Sequence, residues 1–324
     1  MKISIIVVSY NEADYLAECL DSCIRNLRAF PEPGDCEILI GDDGSNDGSM
    51  EIIRAYQKQY PDLICSFVME RNITGNFVPS FRVSNLIKRA IGLSRGQYLQ
   101  IISGDDLLLG EDKLARAAAF LDGNPGYASC HSDFKMFWED GKERIPPSNG
   151  HDFSPEILWS YAYKHISCYV FRREVSANLL EHFCDDDGMY FSCFLTGGKT
   201  KYVGGMGFGY RQRSTGIMGS LNQMASWLTH ILLLEDALSV NRYRTATYAK
   251  LFTPLLLIFR EREKLQETEK TGFLCSQSRM IAGKILKFDR MPVSGKLRFM
   301  AFLICCGWWK VVYKVRYTIE KITR

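Results

Sequence analysis

The chain has 324 residues, 46% of them hydrophobic and 24% charged, with a formal net charge of +3. That balance excludes a disordered chain, and the charge is too small to point to a nucleic-acid partner. Eleven cysteines without a Cys-x-x-Cys pair exclude a secreted disulfide framework and indicate a reducing, cytoplasmic compartment. The five histidines form no His-x-x-x-His pair, so no zinc pattern is present. The amino terminus runs into an apolar stretch rather than a cleavable signal. No uncharged apolar run approaches the ~20 residues needed to span a bilayer.

Residues 3–8 form a near-continuous β-branched run, as expected of a parallel strand buried on both faces. The run ends at Ser9-Tyr10-Asn11-Glu12. Residues 14–27 carry apolar or small side chains at Leu16, Cys19, Leu20, Cys23, Ile24 and Leu27, a helical period. A turn at 31–34 leads to a second strand, 37–41, closed by Asp42-Asp43-Gly44-Ser45. A helix over 49–60 stops before Pro61, a strand follows at 63–69, and a helix at 85–93 leads into a strand at 98–102. Directly beyond that strand stand two consecutive acids, Asp105 and Asp106.

Strand and helix alternating in this way predict an α/β fold: a mostly parallel central sheet with helices on both faces. Parallel strands would bring Tyr10-Asn11, Asp42-Asp43 and Asp105-Asp106 to one edge, where open α/β sheets bind ligands. Asp105 and Asp106 have two readings. They could hold a hard divalent cation and through it a phosphate, or cap the next helix.

Three stretches, 3–20, 38–53 and 96–114, together resemble the family 2 glycosyltransferases, which have the nucleotide-diphospho-sugar transferase fold called GT-A. The family's opening strand, Tyr-Asn-Glu-like turn and Tyr-Leu helix correspond to Val8-Ser9-Tyr10-Asn11-Glu12 and Tyr15-Leu16. Its Asp-Asp-Gly-Ser-x-Asp-Gly-Ser is matched throughout by residues 42–49. Its Gly-Glu-Tyr-Ile strand ending in Asp-Ser-Asp-Asp corresponds to Gly96-Gln97-Tyr98-Leu99 and Ser103-Gly104-Asp105-Asp106. The first acid of the usual Asp-x-Asp is Ser103 here, so the metal-bearing acid falls on Asp105, with Asp106 beside it.

The resemblance implies a nucleotide-sugar donor, a UDP-sugar above all, held by Ser9, Tyr10, Glu12, Asp43, Asp105 and Asp106. Tyr10 would pack on the base and Asp43 accept from a ring N–H. Mg²⁺ or Mn²⁺ would sit at Asp105 and Asp106. Arg71, Arg82, Lys88 and Arg89 are further cations that could meet a diphosphate. Residues 128–138 read as another strand, beside the metal site, with His131 and Asp133 as its polar members and a satisfied histidine as the bland reading of His131. Glu143 begins a loop reaching residue 150. Segment 165–173 resembles the family stretch that lines the acceptor side. The family's Glu-Asp, whose Asp is the general base, aligns with Asp186 and Asp187, next to Asp185. Crowded acids raise one another's pKa, and a helix amino terminus also favours them. A strand over 201–210 precedes Arg211-Gln212-Arg213-Ser214. The family often has Tyr-Arg-x-His-x-x-Ser there, near the diphosphate. Arg211 matches and Arg213 replaces the histidine, an exchange that cannot bind metal but can neutralise phosphate. Residues 216–220 would form a lid.

The expected organisation is a catalytic domain over 1–220 and a helical region over 221–324, with apolar helices at 224–238 and 245–262. Residues 296–324 carry seven Lys or Arg against Glu320. The uncharged run 299–309, edged by Trp308-Trp309, suits either a helix lying on an anionic membrane surface or one packed on the catalytic domain. The implied activity is an inverting, metal-dependent transfer of a sugar to a hydroxyl of a glycan or lipid-linked acceptor, in bacterial surface polysaccharide assembly at the inner face of the membrane. A non-catalytic sugar-nucleotide-binding scaffold is the alternative that the missing first acid leaves open.

Overall fold

A computed structural model describes residues 1–70, 79–147, 150–160, 165–179 and 186–213. The expected region 221–324 and the lid at 216–220 lie outside them.

The first half is the predicted alternation: β1 (Ile3–Ser9), α1 (Ala13–Leu27), β2 (Cys36–Asp42), α2 (Ser49–Gln59), β3 (Ile64–Val68), α3 (Pro79–Leu93) and β4 (Tyr98–Ser103). Strands β3, β2, β1 and β4 lie side by side and all parallel. Every residue of β1 and β2 is buried, which is why both read as unbroken apolar runs. The helical stripe of α1, Leu16, Cys19, Leu20, Cys23, Ile24 and Leu27, is buried too. Each aliphatic side chain so buried contributes ~1.5–3 kcal/mol.

The amino-terminal edge of these strands is tied by a polar network. Ser4 Oγ donates to Glu37 Oε1 at 2.6 Å and accepts from the Gly96 N–H at 2.8 Å. Arg95 completes it with its own N–H at 2.6 Å and an ion pair at 2.7 Å, both to Glu37. Burial alone would raise the Glu37 carboxyl, but these bonds hold it below its ordinary value.

Beyond β4 the sheet is mixed. β8 (Tyr169–Arg172) runs antiparallel to β4, and β6 (Tyr127–Trp138) antiparallel to β8. β9 (Lys199–Gln212) is parallel to β6, while the two-residue strands β5 (Leu107–Leu108) and β7 (Glu143–Arg144) are antiparallel to β9 and β6. Glu143 therefore opens a short strand rather than only a loop. β9 carries extra residues against β6 around Gly204 and Gly205, which have φ of 74° and 75°. Such a bulge bends the strand. Its carboxyl end pairs with β5, the residues that directly follow Asp105-Asp106.

Helices α4 (Lys113–Gly123), α5 (Pro155–Ser160) and α6 (Asp186–Thr196) complete the described elements, with short 3-10 turns at Pro33–Asp35, Ile166–Cys168 and Arg173–Asn178. β5 intervenes between Asp106 and α4, whose N-cap is Asp112. Asp105 and Asp106 therefore cap no helix.

Candidate functional site

β1, β2 and β4 are parallel and in register, Ser9 facing Asp42 and Val8 facing Ser103. The polar residues that follow each strand meet at one edge, as the ordering of the motifs predicts.

Most of the 42–49 stretch is scaffold. The N-cap of α1, Glu12, makes no side-chain capping bond. Side chains from the loop after β2 and the first residue of α2 do that work instead: Ser45 Oγ accepts from Asn11 N–H at 2.9 Å, Ser49 Oγ from Glu12 N–H at 3.0 Å, and Asp47 Oδ2 from Ala13 N–H at 3.0 Å. Asn11, at φ 51°, returns a bond from its Oδ1 to the Asn46 N–H at 3.0 Å. Asp42 is wholly buried and accepts from the Ser45 N–H at 2.7 Å and hydroxyl at 2.6 Å. Among the described residues, Asp43 alone of the loop's acids pairs with an arginine. Arg82 grips it through Nε at 2.6 Å and Nη2 at 2.5 Å. Arg82, expected near a diphosphate, thus stands on the carboxylate expected at the base. Ser9 ends β1 and Tyr10 follows it, with Ser9 buried and its Oγ without a partner among the described residues.

Across from this pair, Glu12, Asp105 and Asp106 crowd together. Glu12 and Asp106 are buried, and burial, with the neighbouring Asp105 charge, pushes both carboxyls well above their ordinary range. Ser103 Oγ donates to Glu12 Oε1 at 3.3 Å. A side chain at Gly104 would strike Glu12 and Leu16, which accounts for the glycine. Asp106 Oδ1 accepts the Arg211 N–H at 2.9 Å, while its Oδ2 and Glu12 Oε2 have no partner.

Arg211 and Arg213 both arrive from β9. The Arg211 guanidinium donates to the Asp105 carbonyl at 2.8 Å and Glu18 at 2.6 Å, between the rings of Tyr15 and Phe137. Arg213 Nη2 lies 2.6 Å from Asp105 Oδ2 and 3.6 Å from Glu12 Oε1. Its Nε is buried without a partner. Arg213 also lines a cavity of about 520 Å³ with Asn11, Tyr15, Trp138, Glu139 and Gln212. The Tyr15 hydroxyl donates to Glu139, which raises its pKa.

His165 joins the site from the turn before β8. Its ring stacks on Phe208 at 5.0 Å and tilts over Tyr210 at 4.8 Å. Burial pushes it down to about 4 while the Asp105 charge pulls the other way. Only its place in the 165–173 stretch hints at this in the sequence. His131 is a satisfied core residue, its Nε2 3.1 Å from the His151 carbonyl and its ring stacked on Phe153. Asp133 accepts from the Tyr202 hydroxyl at 2.5 Å. Asp186 and Asp187 open α6. Arg71 and Asp185 lie outside the described residues, and Lys88 and Arg89 are exposed on α3, with Arg89 over the Phe67 ring.

The donor set does not fit the expected Mg²⁺ or Mn²⁺ as it is arranged. A hard cation needs several anionic oxygens facing one point. One Asp105 oxygen is held by a guanidinium, Asp106 and Glu12 are buried, and one Asp106 oxygen is taken by the Arg211 N–H. Among the described residues no group of three or more His, Cys, Asp or Glu side chains could hold a metal ion.

The family model described as Glycosyl transferase family 2 matches residues 4–180. The chain belongs to glycosyl transferase family 2. An uncharacterized protein of Mycobacterium tuberculosis is 30% identical over 176 residues, 53% of this chain and 47% of its own length. The family 2 chain described here therefore spans about half the length of that relative. A poly(ribitol-phosphate) beta-glucosyltransferase of Bacillus spizizenii is 34% identical over 116 residues, covering 36% of this chain and 16% of the enzyme. Among solved structures, residues 1-349 of S. aureus TarS in complex with UDP-GlcNAc superpose with a TM-score of 0.69 at 16% identity, over 99% of this chain and 92% of that fragment. The mannosyltransferase PcManGT of Pyrobaculum calidifontis, in complex with GDP-Man and Mn²⁺, gives 0.53 at 15% identity, over 99% and 88%. At such identities these likenesses concern the fold, which is the GT-A fold that the motifs imply.

Proposed function

We propose that this chain is an inverting glycosyltransferase that moves a sugar from a nucleotide-sugar donor, a UDP-sugar above all, to a hydroxyl of a glycan or lipid-linked acceptor. Family membership supports the reaction class. The observation that carries the assignment to this edge of the sheet is the meeting of Tyr10, the Asp43–Arg82 pair and the Asp105–Arg213 pair there.

In this reading the base lies over Tyr10 with a ring N–H towards Asp43, whose carboxylate Arg82 holds in place. Arg213, with an N–H to spare, meets the diphosphate. Arg211 holds the main chain at Asp105 and Asp106 in place rather than touching the donor. Asp187, or its neighbour Asp186, takes the proton from the acceptor hydroxyl. The oxygen attacks the anomeric carbon from the face opposite the leaving group, and the nucleoside diphosphate departs with its bonding electrons. An α-linked donor then yields a β-linked product. The basic stretch 296–324 would bring the protein to an anionic membrane surface, where lipid-linked acceptors lie and each basic group contributes up to ~1 kcal/mol.

The test is release of UDP from UDP-glucose, UDP-galactose and UDP-GlcNAc, with and without candidate acceptors. Release from one of them establishes the activity. UDP binding with no release from any sugar nucleotide favours the scaffold reading, and no binding of any nucleotide removes the site.

A further inference from the structure

We infer that the Arg213 guanidinium takes the place of a divalent cation in this crevice, so that the diphosphate is held without metal. The inference rests on the nucleotide-sugar reading above and goes further, naming the group that carries the positive charge.

A nucleoside diphosphate leaving a sugar accumulates negative charge, and an enzyme must offset it with a cation placed in advance. Arg213 already lies on the carboxylate that would otherwise hold a metal, 2.6 Å from Asp105 Oδ2, and reaches Glu12 Oε1 at 3.6 Å. Its position is fixed from a second side by Tyr15, whose ring centre is 5.0 Å from the guanidinium carbon. The side chain is 16% exposed, open on the cavity it shares with Tyr15 and Trp138. A guanidinium has five N–H donors. The one at Nε is buried and has no partner among the described residues, an unmet donor on the cation itself. A phosphate oxygen would satisfy it, in the forked geometry that suits arginine to phosphate.

Two other arginines described at this edge are committed: Arg211 is bonded to the Asp105 carbonyl and Glu18, and Arg82 to Asp43. A metal on Asp105 Oδ2 would have to expel Arg213, leaving a charge in a mostly buried place.

The experiment measures UDP and GDP binding to the full chain by calorimetry, in EDTA and in Mn²⁺, together with binding of Mn²⁺ alone followed by its paramagnetic resonance signal. The expected result is the same affinity for the preferred nucleotide in both buffers, within about twofold, and no protein-bound Mn²⁺. Losing a charge-assisted bond worth ~1.5–3 kcal/mol should weaken binding by about 10–100-fold in Arg213→Gln in EDTA. Arg213→His should fold, bind Mn²⁺ through the freed Asp105, and recover nucleotide affinity only when Mn²⁺ is present. The inference is overturned if the unaltered chain binds Mn²⁺ and loses it in Asp105→Asn. It is equally overturned if nucleotide binding needs Mn²⁺, and the nucleotide-sugar reading then still stands. Absence of binding in both buffers would overturn that reading and this inference with it.

Discussion

Both carboxylate oxygens of Asp43 are taken by a single side chain, Arg82, which reaches across from α3 to the end of β2. The two groups are 10% and 14% exposed, so the pair is nearly closed to water. Removing one partner would leave a charge without its counter-ion in a poor solvent. Arg82→Ala is expected to cost about 3 kcal/mol in urea denaturation, the low end for breaking a buried pair. The double variant with Asp43→Asn should recover part of that loss. Additive losses would show that the two residues are not energetically coupled.

The base assignment rests on register. Asp187→Asn should lower kcat about 10²–10⁴-fold, the usual range for a positioned acid or base, with donor affinity little changed. The same loss in Asp186→Asn, with Asp187→Asn active, would shift the assignment by one residue.

Asp106 gives a pH signature. Its folded pKa is raised, by burial first and the Asp105 charge second. A group of that kind stabilises the fold fully below its unfolded pKa, about 4, and the contribution is lost as pH rises through the folded value. Asp106→Asn keeps an oxygen for the Arg211 N–H and cannot ionise. Its melting temperature should match that of the unaltered chain near pH 4 and exceed it increasingly towards alkaline pH. Glu37, whose pKa is lowered, acts in the opposite sense, losing its contribution as pH falls. A difference in melting temperature that does not change with pH would mean Asp106 titrates normally.

Lys113 is 1% exposed on the inner face of α4. Its ammonium donates to the Ser167 carbonyl at 3.0 Å, Gln100 Oε1 at 3.3 Å and the Gly207 carbonyl at 3.4 Å. Lys113→Met keeps much of the volume and strands those acceptors, each costing ~1–3 kcal/mol when buried and unmet. A loss of at least about 3 kcal/mol is expected from the shift in urea midpoint. A neutral Lys113→Met would show that the contacts contribute nothing net.

The parallel half of the sheet is legible because β1, β2 and β4 are buried on both faces and declare themselves as apolar runs. The edge they share is legible because parallel strands put all their carboxyl ends together. What escapes is whatever is fixed by distant partners. Leu107–Leu108 looks like a loop until β9 pairs with it. Lys113 reads as a surface lysine, since nothing local announces acceptors on β4, β9 and the turn before β8. Ser45, Asp47 and Ser49 belong to the motif matched at 42–49, and nothing local announces that their bonds go to the main chain of residues 11–13. Arg213 reads in the sequence as a cation that could meet a phosphate, and nothing local announces its seat on Asp105.

The debts that β9 settles come due late. When residue 180 of a nascent chain is made, everything the family model covers has been synthesised. The chain at that moment still lacks the Gly207 carbonyl that Lys113 needs, the Arg211 N–H that meets Asp106, and the parallel neighbour of β6. A ribosome-bound chain of that length should therefore be protease-sensitive, and it should become resistant only once the segment through Gln212 clears the exit tunnel.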